Sequence, residues 1–343
     1  MVSVFRFAAV RPDNSKAGEI ASVPYDVVSR EEALSTIEQN PLTFLRVIRS
    51  DAGCQGCAPG DDEVYRQAKG NFEDMQRSGL LLRDEIPGFY IYRVIRQDRE
   101  FTGMVCCVST RDYTDHRIRR HEETRYDKEE DRTRHIDTVN ANTGLVFLLY
   151  HDTGGIHEKL MSAGASAEQV ADVTTGQGAR HQIFRVTDEA LLSAIENQFR
   201  DVDALYIADG HHRAKSAVNV AERRQAAGRF TEESGRFMAV LFAHNEVNIH
   251  GYSRLVTDLN GCTPPELLER LRGCFAVEPY GPVNEEEYQI TPKTKGDDPL
   301  HVMHMYLDGA WYEVTKPVEY GADLISSLDV AALRTRCWMG YWA

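Results

Sequence analysis

The sequence predicts a mixed α/β fold, and three patterns lead to this prediction. Short stretches rich in β-branched and aromatic residues alternate along the chain with stretches of helical periodicity. Ser29 precedes Glu32 by three residues, which is the spacing of a capping box at the start of a helix. Asp308-Gly309 separates two apolar runs, as in a tight β-hairpin.

The same patterns predict the individual elements in chain order. Helices are predicted at about 30–39, 63–79, 155–164, 188–199, 210–228 and 264–274. Strands are predicted at 2–7, 43–49, 88–96, 100–110, 145–150, 181–186, 204–209, 235–245 and, as a hairpin, 301–314. The stretch between 50 and 62 has the Gly, Pro and Asp content of a surface loop.

Three segments and a tail follow from this order of elements. We expect an N-terminal α/β segment over 1–110 and a core segment over 111–255 that continues the same unit. A third α/β segment is expected over 256–333. The tail, 334–343, holds two of the three tryptophans and has no helical or strand pattern.

Composition and charge limit the classes of function. Of the 343 residues, 42 % are hydrophobic, which excludes a disordered chain. The formal charge of −14 argues against sequence-independent binding of nucleic acid or of anionic lipid. No apolar run approaches the roughly 20 residues that span a bilayer, and the N-terminus lacks a signal-peptide pattern. We therefore expect a cytoplasmic protein with no membrane partner; the oligomeric state is not indicated. Seven scattered cysteines indicate reduced thiols.

The most informative motif is the run from Asp209 to Arg213, Asp-Gly-His-His-Arg, where an apolar strand passes into a helix. The first amides of a helix attract anions, and Gly210 permits close approach of the backbone to a ligand. His211, His212 and Arg213 add donors for a phosphate. Asp209 is a candidate to hold a metal ion or accept a proton. The alternative is that Asp209 only caps the helix and the histidines are surface residues.

Two weaker clusters lie upstream. One contains His121, Glu122 and Thr124, followed by Lys128 and Asp131-Arg132; a stretch of mixed charge is more often a solvated helical face. The other is Pro24-Tyr25-Asp26, a rigid turn that presents a phenol and a carboxylate.

Zinc is not expected from the sequence. Cys54 and Cys57 have C-x-x-C spacing, but no second C-x-x-C pair supplies the other ligands of a tetrahedral site. His301 and His304 are three residues apart in a predicted strand, so they point to opposite faces. A flexible loop with two thiols is the preferred interpretation of the cysteine pair.

The clusters, taken in order, resemble a large bacterial and archaeal family catalogued as domain of unknown function 1015. The resemblance is carried by Pro-Tyr-Asp, His-Glu-x-Thr, Lys-x-x-Asp-Arg, Ala-Asn before an apolar strand, and Asp-Gly-His-His-Arg. These correspond here to Pro24–Asp26, His121, Glu122, Thr124, Lys128, Asp131, Arg132, Ala141, Asn142 and Asp209–Arg213. Members of that family usually continue beyond 324–330 into a further α/β segment. We therefore expect a truncation or a frame shift just after Ala332, with the terminal residues belonging to a foreign reading frame.

The run Asp-Gly-His-His-Arg is also similar to the phosphate-binding motif of the ParB and sulfiredoxin superfamily, which includes free serine kinases. This resemblance implies a ParB/sulfiredoxin-like nucleotide-binding core with additional mixed-sheet segments. It also implies ATP or ADP as a ligand, with a small phosphorylated compound as partner; Mg²⁺ is expected as a cofactor between the carboxylates of the site and the phosphates.

The function predicted from these features is phosphoryl transfer between a nucleotide and a small hydroxyl compound such as serine. Glu122, Asp209 and His211 are the candidate catalytic residues, and Asp26 and Asp209 the candidate Mg²⁺ ligands. Phosphate contacts are expected from Gly210–Arg213, Lys128 and Arg132; the further site candidates are Tyr25, Asp26, His121, Thr124 and Asn142. One alternative is a nucleotide-binding regulatory module without turnover. Another is a ParB-like DNA-associated protein, which the −14 charge argues against.

Overall fold

A computed structural model of the protein describes residues 1–58, 60–176, 178–248, 253, 255–281, 293–319 and 327–333. The chain divides into two compact units, Met1–Val247 and the part from Asn248 onward. In the described part, no helix is both long enough and apolar enough to cross a membrane.

The strands of the described residues are, in chain order, β1 (Val4–Phe5), β2 (Val10–Pro12), β3 (Leu81–Arg83), β4 (Phe89–Arg96), β5 (Arg99–Ser109), β6 (Ile118–Arg119), β7 (Val146–Tyr150), β8 (Glu168–Thr174), β9 (Arg180–Val186), β10 (Leu205–Asp209), β11 (Arg236–Ala243), β12 (Ala276–Tyr280), β13 (Thr294–Lys295), β14 (Asp298–Leu307) and β15 (Ala310–Pro317). The α-helices are α1 (Ala17–Ile20), α2 (Arg30–Gln39), α3 (Leu45–Ile48), α4 (Ser50–Gly53), α5 (Asp62–Arg77), α6 (Thr110–Thr114), α7 (Tyr126–Val139), α8 (Ile156–Ser166), α9 (Glu189–Phe199), α10 (His211–Ala226), α11 (Pro264–Arg272) and α12 (Asp329–Leu333). Strands and helices alternate along the chain, which confirms the mixed α/β class.

The large sheet of the first unit is mixed. Its strand order is β6-β10-β7-β11-β5-β4-β9-β8, and β1 pairs with β5 outside this path. β11 runs parallel to β7 and antiparallel to β5. β10 runs antiparallel to β7, and Asp209 at its end pairs with Phe147 near the start of β7. The end of β10 and the segment before β7 therefore meet at the same edge of the sheet.

The core of the first unit lies mainly on one face of this sheet. Strand residues alternate between the two faces, as a two-residue period requires. In β7, Leu148 and Tyr150 join the larger buried cluster, whereas Phe147 and Leu149 pack on the opposite face. Helices α8, α9 and α10 contribute apolar side chains to the larger cluster. α10 is thus fixed against the sheet along its buried face.

The second unit contains an antiparallel sheet in the order β12-β15-β14-β13. β14 and β15 form the predicted hairpin, with Asp308 and Gly309 at positive φ in the turn. Leu271 of α11 packs with Phe275, Val277 and Val314 in a separate small core. The expected tail at 334–343 lies outside the described residues.

Most of the predicted elements of the first unit are confirmed, and one is wrong. The capping box at Ser29 and Glu32 starts α2 as expected. The strand predicted over 43–49 is instead a short helix, α3. Leu45, Val47 and Ile48 are all buried there. A four-residue helix is too short to show its 3.6-residue period, and tertiary burial outweighs the strand preference of its β-branched residues.

Two other expectations for this region need correction. The predicted loop over 50–62 contains the short helix α4. The two cysteines in the stretch 50–62, Cys54 and Cys57, were expected as free thiols and form a disulfide instead. The C-x-x-C spacing brings their Cα atoms to 5.6 Å, which lies in the range that a disulfide requires.

Candidate functional site

The start of α10 is the centre of the candidate site. β10 ends at Asp209, and Gly210 turns the chain into the helix with a φ of 95°, a conformation that favours glycine. No side chain of the described residues caps the first turn. The amides at this end of the 16-residue helix are therefore available to an anion.

Arg213 is held tightly beside this turn. Its guanidinium donates to the backbone oxygen of Leu145 and forms a 2.6 Å ion pair with Asp209. The backbone of Gly144 lies against it, because a Cβ atom there would be 3.3 Å from Cδ of Arg213. A Cβ atom on Gly210 would be 3.2 Å from its guanidinium carbon. The two glycines and Asp209 together fix the position of this cation.

The two histidines of the motif hold a distant segment against the helix. The amide of Arg125 donates to Nε2 of His212 at 3.2 Å. The amide of His121 makes a longer contact of 3.5 Å with Nε2 of His211. The rings of His121 and His211 also meet edge-on, with centroids 4.4 Å apart. The His-Glu-x-Thr motif is therefore fixed at the start of α10 through backbone contacts as well as side chains.

His211 is the buried member of the cluster, with 6 % of its surface exposed. Burial lowers its pKa to about 4, and the neighbouring His121, His212 and Arg120 contribute to the shift. The imidazole is thus neutral at neutral pH. Its Nδ1 lies 3.9 Å from Oε2 of Glu122, whose side chain is 62 % exposed.

The Pro24-Tyr25-Asp26 turn closes the other side of the site. The guanidinium of Arg132 lies 4.4 Å over the ring of Tyr25, and Arg49 donates to the backbone oxygens of Tyr25 and Val28. Burial raises the pKa of the Tyr25 hydroxyl, although the charge of Arg132 opposes the shift. The turn is therefore held by two arginines.

These elements surround a polar cavity of about 140 Å³. Its lining brings together residues from three of the predicted motifs, namely Tyr25, Asp26, Glu122, Asp209, Gly210, His211, His212 and Arg213.

Five predicted site residues do not line the cavity. The ring of His121 packs against that of His211, which does line the cavity. Thr124 donates to Glu129, and Lys128 is exposed. Arg132 pairs with Asp131 and stacks on Tyr25, and Asn142 lies in the segment before β7.

Sequence reasoning missed several residues that shape the site. Gly144 allows the close approach of Arg213, and Arg49 holds the Tyr25 turn. Arg125 contributes only its backbone amide, so no side-chain pattern signals it. Of these three residues, only Gly144 could have been noticed in the sequence, because it stands two positions after the Ala141-Asn142 motif.

Two kinds of ligand suit this arrangement. The amides of α10 offer donors to an anion, and Arg213 contacts such an anion if the anion shares its guanidinium with Asp209. Among the described residues, His121, Glu122 and His211 form a group whose possible metal-ligating atoms all lie within 4.8 Å of one another. Asp26 and Asp209 add carboxylates on the cavity wall.

The fold and site define a mixed α/β protein with a polar cavity at a strand-to-helix junction. The family described as "Protein of unknown function (DUF1015)" matches residues 4–331. The chain belongs to this family, which confirms the family resemblance of its motifs. Comparison with curated proteins and with solved structures gives no match.

Proposed function

We propose that the protein is a nucleotide-dependent phosphotransferase that acts on a small hydroxyl compound such as serine or phosphoserine. The observation that supports this proposal is that residues from three separate motifs, Pro-Tyr-Asp, His-Glu-x-Thr and Asp-Gly-His-His-Arg, line one cavity. The open start of α10 and Arg213 lie on the same cavity wall, and Tyr25, Asp26 and Glu122 complete the lining.

Phosphate binding is assigned to the start of α10. Phosphoryl transfer needs positioned donors and charge neutralisation more than covalent chemistry. The amides after Gly210 supply donors, and Arg213 supplies a permanent cation that its contacts with Leu145 and Asp209 hold in place. The cavity, at about 140 Å³, is smaller than typical pockets for drug-sized ligands of roughly 300–1,000 Å³. It therefore suits a transferred phosphoryl group and a small acceptor, with most of the nucleotide outside it.

Glu122 is the favoured general base. Its side chain is 62 % exposed and lines the cavity, so it is accessible to an acceptor hydroxyl. Asp209 is less suited to this role because it is engaged in the ion pair with Arg213. His211, neutral and buried, is assigned to donating or accepting a hydrogen bond beside Glu122.

Mg²⁺ is proposed to enter with the nucleotide phosphates. The carboxylates of Asp26 and Asp209 line the same cavity and offer the oxygen ligands that this ion prefers. Lys128 and Arg132 do not line the cavity, so the proposal assigns phosphate contact to neither. The similarity of Asp-Gly-His-His-Arg to the ParB and sulfiredoxin superfamily, with its free serine kinases, also supports a nucleotide ligand.

The proposal is tested by phosphorus NMR of the purified protein with ATP or ADP, Mg²⁺ and serine, and in reverse with phosphoserine. We expect transfer of the phosphoryl group to or from serine. Glu122→Gln should reduce turnover by about 100-fold or more, as loss of a general base does. Glu123→Gln, the change at the exposed neighbour, is the matched control and should retain turnover.

Nucleotide affinity, measured by calorimetry, separates the alternatives. Arg213→Ala should weaken binding by about 10-fold or more, since hydrogen bonds to charged groups contribute about 1.5–3 kcal/mol. Binding without turnover of any tested acceptor would favour the regulatory module. Absence of both binding and turnover would overturn the proposed function.

A further inference from the structure

His121, Glu122 and His211 place two imidazoles and one carboxylate around a common point. Their possible ligand atoms lie within 4.8 Å of one another, and Nδ1 of His211 is 3.9 Å from Oε2 of Glu122. Two ligand atoms bound to one tetrahedral zinc at about 2.1 Å would be about 3.4 Å apart. Small rotations of the exposed His121 and Glu122 side chains are enough to reach this separation.

One of the three donors is held in place by its surroundings, and the backbone that carries the other two is anchored to the same helix. His211 belongs to α10, which packs on the sheet, and is buried. His121 and Glu122 are adjacent in a segment fixed to α10 by the contact of the Arg125 amide with Nε2 of His212, which metal binding at His211 leaves intact. Binding an ion would therefore order two exposed side chains around a third that is already fixed.

The chemistry of these donors selects the class of ion. Mg²⁺ and Ca²⁺ prefer oxygen ligands, whereas imidazole suits the later first-row ions such as Fe²⁺, Co²⁺, Ni²⁺ and Zn²⁺. Two histidines and one carboxylate are a ligand set that leaves further coordination positions open. We propose that His121, Glu122 and His211 bind a divalent transition-metal ion at the wall of the cavity. This site is separate from the Mg²⁺ that we assign to Asp26, Asp209 and the nucleotide.

Two of the three donors, Glu122 and His211, line the cavity, so the ion's open positions face the same space as the start of α10. A phosphate oxygen held by the helix is then within reach of the ion. The role of the ion, though not its binding, rests on the proposed function: it neutralises phosphate charge and orients the phosphoryl group. Glu122 offers the ion one carboxylate oxygen, and its other oxygen stays free to accept the proton of the acceptor hydroxyl.

The experiment is a titration of the metal-free full chain with Co²⁺, followed by visible absorption and by calorimetry. We expect binding of one ion per chain with the ligand-field bands of a site that contains nitrogen. Zn²⁺ should displace Co²⁺ at equimolar amounts, because d¹⁰ zinc loses no ligand-field stabilisation when it exchanges its octahedral water shell for a four-coordinate site, whereas Co²⁺ does. Mg²⁺ at about 1,000-fold excess should not displace Co²⁺, because it prefers oxygen ligands.

Substitutions at the exposed residues identify the metal ligands without disturbing the hydrophobic core. Glu122→Gln and His121→Asn should each weaken Co²⁺ binding by about 10-fold or more. The matched controls are Glu123→Gln and His116→Asn, both at exposed positions, and they should bind Co²⁺ as the wild type does. Binding that is equal in variants and controls, or that Mg²⁺ displaces readily, would overturn the proposal.

Failure of this proposal is distinguishable from failure of the proposed function. Co²⁺ binding is measured without nucleotide or serine. Specific binding in a protein that turns over no phosphoryl group overturns the proposed function and supports the metal site. Full turnover with Mg²⁺ alone, in a chain that binds no Co²⁺, overturns the metal site and supports the phosphotransferase.

Discussion

The guanidinium of Arg132 lies 4.4 Å over the ring of Tyr25. This contact joins α7 to the Pro24-Tyr25-Asp26 turn, so a residue outside the cavity positions one that lines it. Arg132 is only 13 % exposed and also pairs with Asp131. Its role in the site is therefore to hold Tyr25.

The first prediction is that Arg132→Ala weakens nucleotide binding although Arg132 does not line the cavity. A partly buried cation–π contact contributes about 1 kcal/mol, so affinity should fall by about five-fold as Tyr25 loses its support. Calorimetry with ATP or ADP measures this change.

The same helix provides the control. Arg134 lies 4.4 Å over the ring of Tyr65, so Arg134→Ala removes a contact of the same kind away from the cavity. It should leave affinity unchanged. Equal affinities of the two variants would contradict the assigned role of Arg132.

The second prediction concerns Gly144 and Arg213. A Cβ atom at Gly144 would lie 3.3 Å from Cδ of Arg213, and the branches of valine would extend further. Gly144→Val should displace the guanidinium and lower affinity for inorganic phosphate by about 10-fold, through a weakened charge-assisted hydrogen bond. Gly154 has nothing within 4 Å of its Cβ position, so Gly154→Val is the control. The role of Gly144 is refuted when the two variants bind phosphate alike.

The junction between β10 and α10 was predictable because its signals are local. An apolar strand, a glycine and a helical period follow one another within 204–228, and the structure has the same order. The hairpin of β14 and β15 was predictable for the same reason, since Asp308-Gly309 fixes its turn. Such features depend on neighbours in the sequence.

Features that depend on distant contacts were not predictable. β11 lies between β7 and β5, far from both in sequence, and no local pattern sets this order. Arg132 was predicted to bind phosphate, and in the structure its guanidinium pairs with the adjacent Asp131 and stacks on the Tyr25 ring. A sequence shows that a cation is present, whereas its partner depends on how distant segments pack.

The third prediction is that Asp84→Asn destabilises the first unit. The Asp84 carboxylate is almost fully buried, accepts from the hydroxyl of Tyr90 at 2.6 Å and pairs with Arg11 at 3.0 Å. Arg185 lies 3.6 Å away. Removing the charge leaves two partly buried guanidinium groups without their anion, which costs about 3 kcal/mol. The free energy of unfolding in urea should fall by that amount.

An exposed aspartate provides the comparison. Asp98 lies in the turn between β4 and β5, and Asp98→Asn should change the unfolding free energy by less than about 0.5 kcal/mol. A loss at Asp84 no larger than this would show that the buried network does not stabilise the fold.

The last prediction is a pH dependence of stability from His135. This side chain is buried, its Nε2 lies 3.0 Å from the backbone oxygen of Val47, and its Nδ1 has no partner among the described residues. Burial, with a contribution from Arg132 against the opposing charge of Asp131, lowers its pKa from 6.5 to about 4. Below pH 6.5 the unfolded chain therefore takes up a proton that the folded chain refuses, and stability falls until the pH reaches about 4. Between pH 7 and pH 5 the wild type should lose about 2 kcal/mol of stability from this group.

Urea unfolding at both pH values measures the loss. The variant His135→Gln has no titrating side chain at this position, so its stability should fall by about 2 kcal/mol less than that of the wild type. His116→Gln, at an exposed position, should lose as much as the wild type. An equal loss in His135→Gln and the wild type would mean that His135 is protonated as easily in the folded chain as in the unfolded one.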